Sequence, residues 1–189
     1  MNDIEIFKKI NNQQISGIMF HNQMIKYYDF LGFRCFKRMH EYYYFKENAS
    51  NDTINRYVIN HLNKIIINAD INYYFKIPEN WENVNRLSVQ NENRKSYLKQ
   101  GIEKMHEFEI KSKEVYQNAY KELCNLGEVA SAKKVMQLVE YVDMELKEVE
   151  RLYLKLQKID FDLKVIETFD NEMHDCYKEK TKNIGIDIC

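Results

Sequence analysis

The sequence predicts an all-α protein, a bundle of long helices with one long crossover and an additional C-terminal helix, folded as a single domain over residues 1–189. Three observations predict it. One Pro and five Gly in 189 residues are too few for an all-β chain, because sandwiches need turn residues roughly every 8–12 positions. Hydrophobic residues at 44% and charged residues at 30% suffice for a core inside a charged surface. Finally, apolar side chains recur at three- and four-residue steps through long stretches, the spacing of one helix face.

Residues 14–31 and 33–46 read as two helices hinged at Gly32, with aromatic residues crowded from Tyr27 to Phe45. Ser50, Asn51 and Asp52 offer caps for a further helix over 52–67. Residues 68–94 hold the sole Pro (Pro78), the sole Trp (Trp81) and many Asn, without periodicity. They read as a crossover, with Trp81 folded against the bundle as its anchor. A helix over 96–126 starts at Ser96 as N-cap and carries the stripe Leu98, Ile102, Met105, Ser112, Tyr116, Ala119 and Leu123. Gly127 ends it. A second helix over 128–158 carries Val135, Val139, Val142, Leu146, Val149, Tyr153 and Leu156. So short a link makes the two an antiparallel hairpin, each arm roughly 45 Å long at 1.5 Å per residue. The last helix, 160–182, is capped by Asp160 and turns inward Phe161, Val165, Ile166, Phe169, Met173 and either Cys176 or Tyr177.

Charge and composition exclude several functions. With 28 basic against 29 acidic side chains the formal charge is −1, so the basic excess of a nucleic-acid binder is absent. No apolar run is long enough to span a membrane, and the opening residues Met1 to Glu5 lack the basic start and apolar stretch of a signal peptide. A cytoplasmic protein is expected. Cys35, Cys124, Cys176 and Cys189 form no C-x-x-C pair, which argues for free thiols in a reducing compartment. The glycines are isolated, so no phosphate loop is present, and no Ser or Cys sits in a nucleophile motif.

Two segments resemble the ferritin-like superfamily. Tyr27-Tyr28-Asp29-Phe30-Leu31-Gly32-Phe33, continuing through Phe36 to Met39-His40-Glu41-Tyr42, is similar to the Dps-type run of a His-Trp pair, a Gly, a Phe and then Leu-His-Glu. Val142-Asp143-Met144-Glu145-Leu146-Lys147-Glu148 resembles the fourth ferritin helix, where Gln or Glu is followed three residues later by Glu. Phe108-Glu109 falls where the third helix supplies a carboxylate. The runs Lys-Arg-Met-His-Glu-Tyr and Asn-His-Leu-Asn-Lys are similar to those of phage and mobile-element proteins of Gram-positive bacteria. The resemblance implies a four-helix bundle that binds and oxidises iron, with Glu109, Glu145 and Glu148 as ligands and His40 as a fourth. The implied site is incomplete: Tyr27 or Tyr28 stands for the first His ligand, and Tyr57 and Val58 replace the carboxylates before His61.

Helical direction separates these candidates. At about 100° per residue, Glu109 lies about 20° from the centre of its apolar stripe, Glu145 about 75° and Glu148 about 135° from theirs. Glu109 alone is expected to point inward; Glu145 and Glu148 are expected to face solvent. The Glu-x-x-His pair Glu103 and His106 turns away from the stripe, and His40-Glu41 point about 100° apart. Asp170 and His174 suit a surface ion pair. A buried Glu109 needs compensation from a metal ion, a facing Lys or Arg, a tyrosine hydroxyl, or a raised pKa. Two functions follow: a ferritin-like iron protein forming a homo-oligomer, or a metal-free helical interaction or adaptor protein, phage-encoded and acting on a host protein.

Overall fold

The computed structural model describes residues 2–67 and 70–183, with the side chains of residues 91, 92 and 169–171 left aside. Every regular element among them is helical: α1 (Asp3–Leu31), α2 (Arg34–Leu62), a short 3-10 helix (Glu79–Asn83), α3 (Arg86–Asn125), α4 (Val129–Lys158) and α5 (Leu163–Asn183). The chain is all-α, as the periodicity predicted. No helix among the described residues is long and apolar enough to cross a membrane.

Side-chain pairs give the helix directions. His21 meets His40 and Gln14 meets Ser50, so α1 and α2 are antiparallel about the left-handed Gly32 (φ 76°). Lys9 pairs with Glu122 and Tyr27 with the Tyr97 carbonyl, which sets α3 antiparallel to α1. Lys113 pairs with Asp143, and Tyr153 with Glu103, so α4 returns along α3. Hence α2 and α3 run the same way, and the chain between them must travel the length of the bundle. It does so along α1. The Asn72 amide donates to Ser16 Oγ, the Tyr74 hydroxyl donates to Gln13, and Trp81 stacks on Tyr27 (5.2 Å) and Phe30 (4.7 Å). Trp81 is buried, so its anchoring role holds.

Several boundaries differ from expectation. Helix α1 starts at Asp3, capped by the Asn2 side chain; its buried face carries Asn11, Gln13, Gln14 and Ser16, whose polarity hides the stripe. Helix α2 is unbroken, because Ser50 and Asn51 bond sideways to Gln14 and Asn11 of α1 instead of capping. Helix α3 begins at Arg86, ten residues before Ser96, with Asn85 accepting from the Leu87 amide. Its first turns carry Arg86, Gln90 and Arg94, which donate to the carbonyls of residues 29–32. These are the orphan acceptors at the end of α1. Polar side chains thus make the contact that an apolar stripe would have announced. Helix α5 is capped by Asp162, not Asp160. Along it Tyr177 is buried, Cys176 and Val165 are exposed, and the side chain of Phe169 and all of Cys189 lie outside the described residues.

The interior is divided. One apolar cluster joins Phe20, Met24, Tyr27, Tyr28, Phe36, Met105 and Phe108 with Val149 and Leu156. The other joins Ile6, Phe7, Ile10, Ile54, Val58 and Tyr116 with Leu123, Val135 and Val142. Between them in the chain positions of all four long helices lies a belt of polar residues: Asn11 to Ser16, Lys46 to Ser50, Glu109 to Ser112, and Glu145.

Candidate functional site

The amides of the belt satisfy one another. Gln13 donates to Ser112 Oγ (2.9 Å) and accepts from the Tyr74 hydroxyl (2.7 Å); Gln14 donates to Ser50 Oγ (2.8 Å). The carboxyl groups are less well matched. Glu109 of α3 is 1% exposed and its Oε1 has no hydrogen-bond partner. Burial first, then the neighbouring Glu145 and Glu47, hold its pKa well above the usual carboxylate range. Glu47 of α2 is pushed up to about 8 by burial and by Glu145. Glu145 of α4 is raised by burial despite an ion pair with Lys46.

Lys46 is the one ammonium among the charges acting on this group. Its Nζ lies 2.5 Å from Glu145 Oε1 and 5.5–5.8 Å from the ring centres of Tyr42, Tyr43 and Tyr141. Burial works against its charge, but Glu145 outweighs burial and its pKa is raised. Three carboxyls thus crowd about one ammonium, and proton binding relieves the crowding: Glu47 holds most of its proton at pH 7, and Glu109 is raised alongside it. Gly17 makes room on α1, since a Cβ there would lie 2.9 Å from Phe108 Cζ and 3.2 Å from Glu47 Cδ.

A second buried group lies nearer the α1–α2 turn. His21 and His40 are 1% and 0% exposed, with their Nδ1 atoms 2.9 Å apart. One imidazole donates and the other accepts. Burial lowers His21 to about 3 and, with His21 beside it, lowers His40 well below the ordinary histidine value. The rings are held by stacking on Tyr43 and Tyr28, and by the edge of Phe108 against His21.

The structure therefore brings Glu109 and Glu145 together and adds Glu47, which lies in the α2 stripe His40, Tyr43, Glu47, Ile54. Reading helix only as far as Lys46 concealed it. Glu109 points inward as expected. Glu145 does not face solvent as the angle suggested: its side chain is 12% exposed, drawn in by Lys46 reaching from α2. Glu148 does face solvent, accepting from the Tyr43 hydroxyl (2.7 Å) and from Lys180 (3.2 Å). His40 belongs to the histidine pair. Glu103 accepts from Tyr153 and His106 lies beside Glu150, so they form no unit. His174 meets Arg38 Nε, while the Asp170 side chain lies outside the described residues.

A cleft of about 310 Å³ opens between α2 and α4 onto this centre, lined by Lys46, Glu47, Ser50, Thr53, Tyr116, Gln137, Tyr141 and Glu145 among others. The carboxyl oxygens are hard donors of the kind iron(II) takes. Their placement does not fit one: among the described residues no group of three or more His, Cys, Asp or Glu is arranged to hold a metal ion, and Lys46 already occupies Glu145. No family model, curated protein or solved structure matches the chain. The class is set by the interior itself: an all-α protein with carboxyls of raised pKa crowded about a half-buried lysine.

Proposed function

We propose that the chain is a ferritin-like four-helix bundle in which Lys46, rather than iron, balances the interior carboxylates, and that it works as a metal-free interaction protein. The Lys46–Glu145 ion pair carries this reading, because an ammonium seated on a carboxylate supplies the charge a cation would bring. The helix order supports the first part: two parallel central helices joined by a long crossover are the ferritin-like arrangement. Exposed Val129, Met136, Met144 and Leu154 on α4, and Ile65, Ile67 and Tyr73 on the crossover, support the second, since large apolar side chains left in water gain from packing against another protein. Elemental analysis of the purified protein, combined with its mass in solution, tests the reading. It predicts no stoichiometric iron and a monomer or dimer; iron bound in a closed many-subunit shell would overturn it.

One observation favours the iron reading. Glu109 Oε1 is buried without a partner, and an orphan carboxylate oxygen is a ligand position. Glu47, Glu109 and Glu145 would have to draw together to hold the ion, which would supply the redox chemistry, and Lys46 would have to leave Glu145.

A further inference from the structure

We propose that the α2–α4 cleft is a binding site for a small organic cation, a primary amine on a short apolar body, with its ammonium on Glu47 and its body against Ile54, Leu138 and Val142. The cleft's volume of about 310 Å³ is of small-molecule size and far exceeds the roughly 30 Å³ of one water. Its lining has two parts. Ile54, Leu138 and Val142 make an apolar wall, and Ser50, Thr53 and Gln137 supply hydrogen-bonding groups beside Glu47 and Glu145. Charge selects the ligand. Of the charged side chains that line the cleft, Lys46 is seated on Glu145 and Lys134 donates to Gln137 Oε1, which leaves the Glu47 carboxyl open to a ligand ammonium.

Lys46 shows how such a ligand is held. Its ammonium pairs with one carboxylate and lies over three tyrosine rings, one of them Tyr141 at the cleft. A ligand amine repeats that arrangement on Glu47. The charged or titratable groups facing Glu47 are Lys46 on its own helix, Glu109 and Tyr116 from α3, and Glu145 and Lys134 from α4, while α1 presents Gly17. Because Glu47 carries a proton until about pH 8, binding an ammonium releases that proton to solvent. Affinity therefore rises with pH, by nearly tenfold per unit between about pH 6 and 7.5.

Calorimetric titration with 2-phenylethylamine and n-butylamine tests this, with 2-phenylethanol as the neutral control and manganese(II) as the inorganic cation. The expected result is binding of an amine but not the alcohol, a heat that changes with the ionisation enthalpy of the buffer, and tighter binding at higher pH. Glu47→Gln should weaken it at least about tenfold, the loss expected for a charge-assisted contact. Ala49→Trp, at an exposed residue of the cleft wall, should block it without touching the carboxyls, and circular dichroism checks that both variants fold. No amine binding, equal binding of the alcohol, undiminished binding by folded Glu47→Gln, or binding of manganese alone would each overturn the proposal. The first three leave the metal-free reading standing; the last also contradicts it.

Discussion

Lys46 and Glu109 answer the same electrostatic problem in opposite ways. Lys46 pairs with Glu145 and opposes the rise that burial causes in its pKa, whereas Glu109 has no hydrogen-bonded cation and is held well above the ordinary carboxylate range by burial. Lys46→Gln should therefore destabilise the protein by roughly 2–3 kcal/mol at pH 7, less than a fully buried pair because Lys46 is partly exposed. The loss should shrink in urea titrations near pH 5, where an unpaired Glu145 takes up a proton. Glu109→Gln keeps the shape and removes a carboxyl whose charged form burial disfavours, so its urea midpoint should equal or exceed that of the wild type. A marked fall would mean that Glu109 is ionised and paired. Periodicity made Glu109 legible, since its angle to the stripe depends on its own helix alone. Glu145 was misread because its burial depends on a lysine from another helix, which no single-helix angle contains.

At the scale of elements, the hairpin of α3 and α4 was the most legible part of the fold. Its stripes are regular, and all the stripe residues from Leu98 to Leu156 are buried except the half-buried Tyr153. Leu146→Ala should cost about 2–3 kcal/mol, measured by denaturant titration, because Leu146 is buried but close to the surface. The first turns of α3 were illegible for the opposite reason: Arg86, Gln90 and Arg94 bind α1 by hydrogen bonds to backbone carbonyls, a contact with no hydrophobic period. The crossover depends on Trp81, which lies nearly parallel to Tyr27 at an interplanar angle of 4°. Trp81→Ala should cost about 3–4 kcal/mol and speed hydrogen exchange over residues 70–85. Exchange unchanged from wild type would show that the crossover is held elsewhere.

Across the whole molecule, two buried groups titrate in opposite senses. His21 is lowered from 6.5 to about 3, and His40 is lowered too. The unfolded chain therefore binds protons that the folded one refuses, and stability falls as pH drops from about 6.5 toward 3. Glu47 is raised from 4.5 to about 8, with Glu109 raised alongside it. There the folded state keeps protons that the unfolded chain has lost, so stability falls as pH rises from about 4.5 to 8. The maximum should lie in the mildly acid range between, and urea midpoints at about pH 3.5, 5.5 and 8 should trace a peak at the middle value. His40→Gln should flatten the acid side and Glu47→Gln the alkaline side.

The most direct test of the proposed lysine-balanced, metal-free centre is the melting temperature at pH 7 with and without ferrous iron under anaerobic conditions, since a ligand that binds only the folded state must raise it. The account predicts the same melting temperature in both. A rise with iron in the wild type that disappears in Glu109→Gln would contradict it.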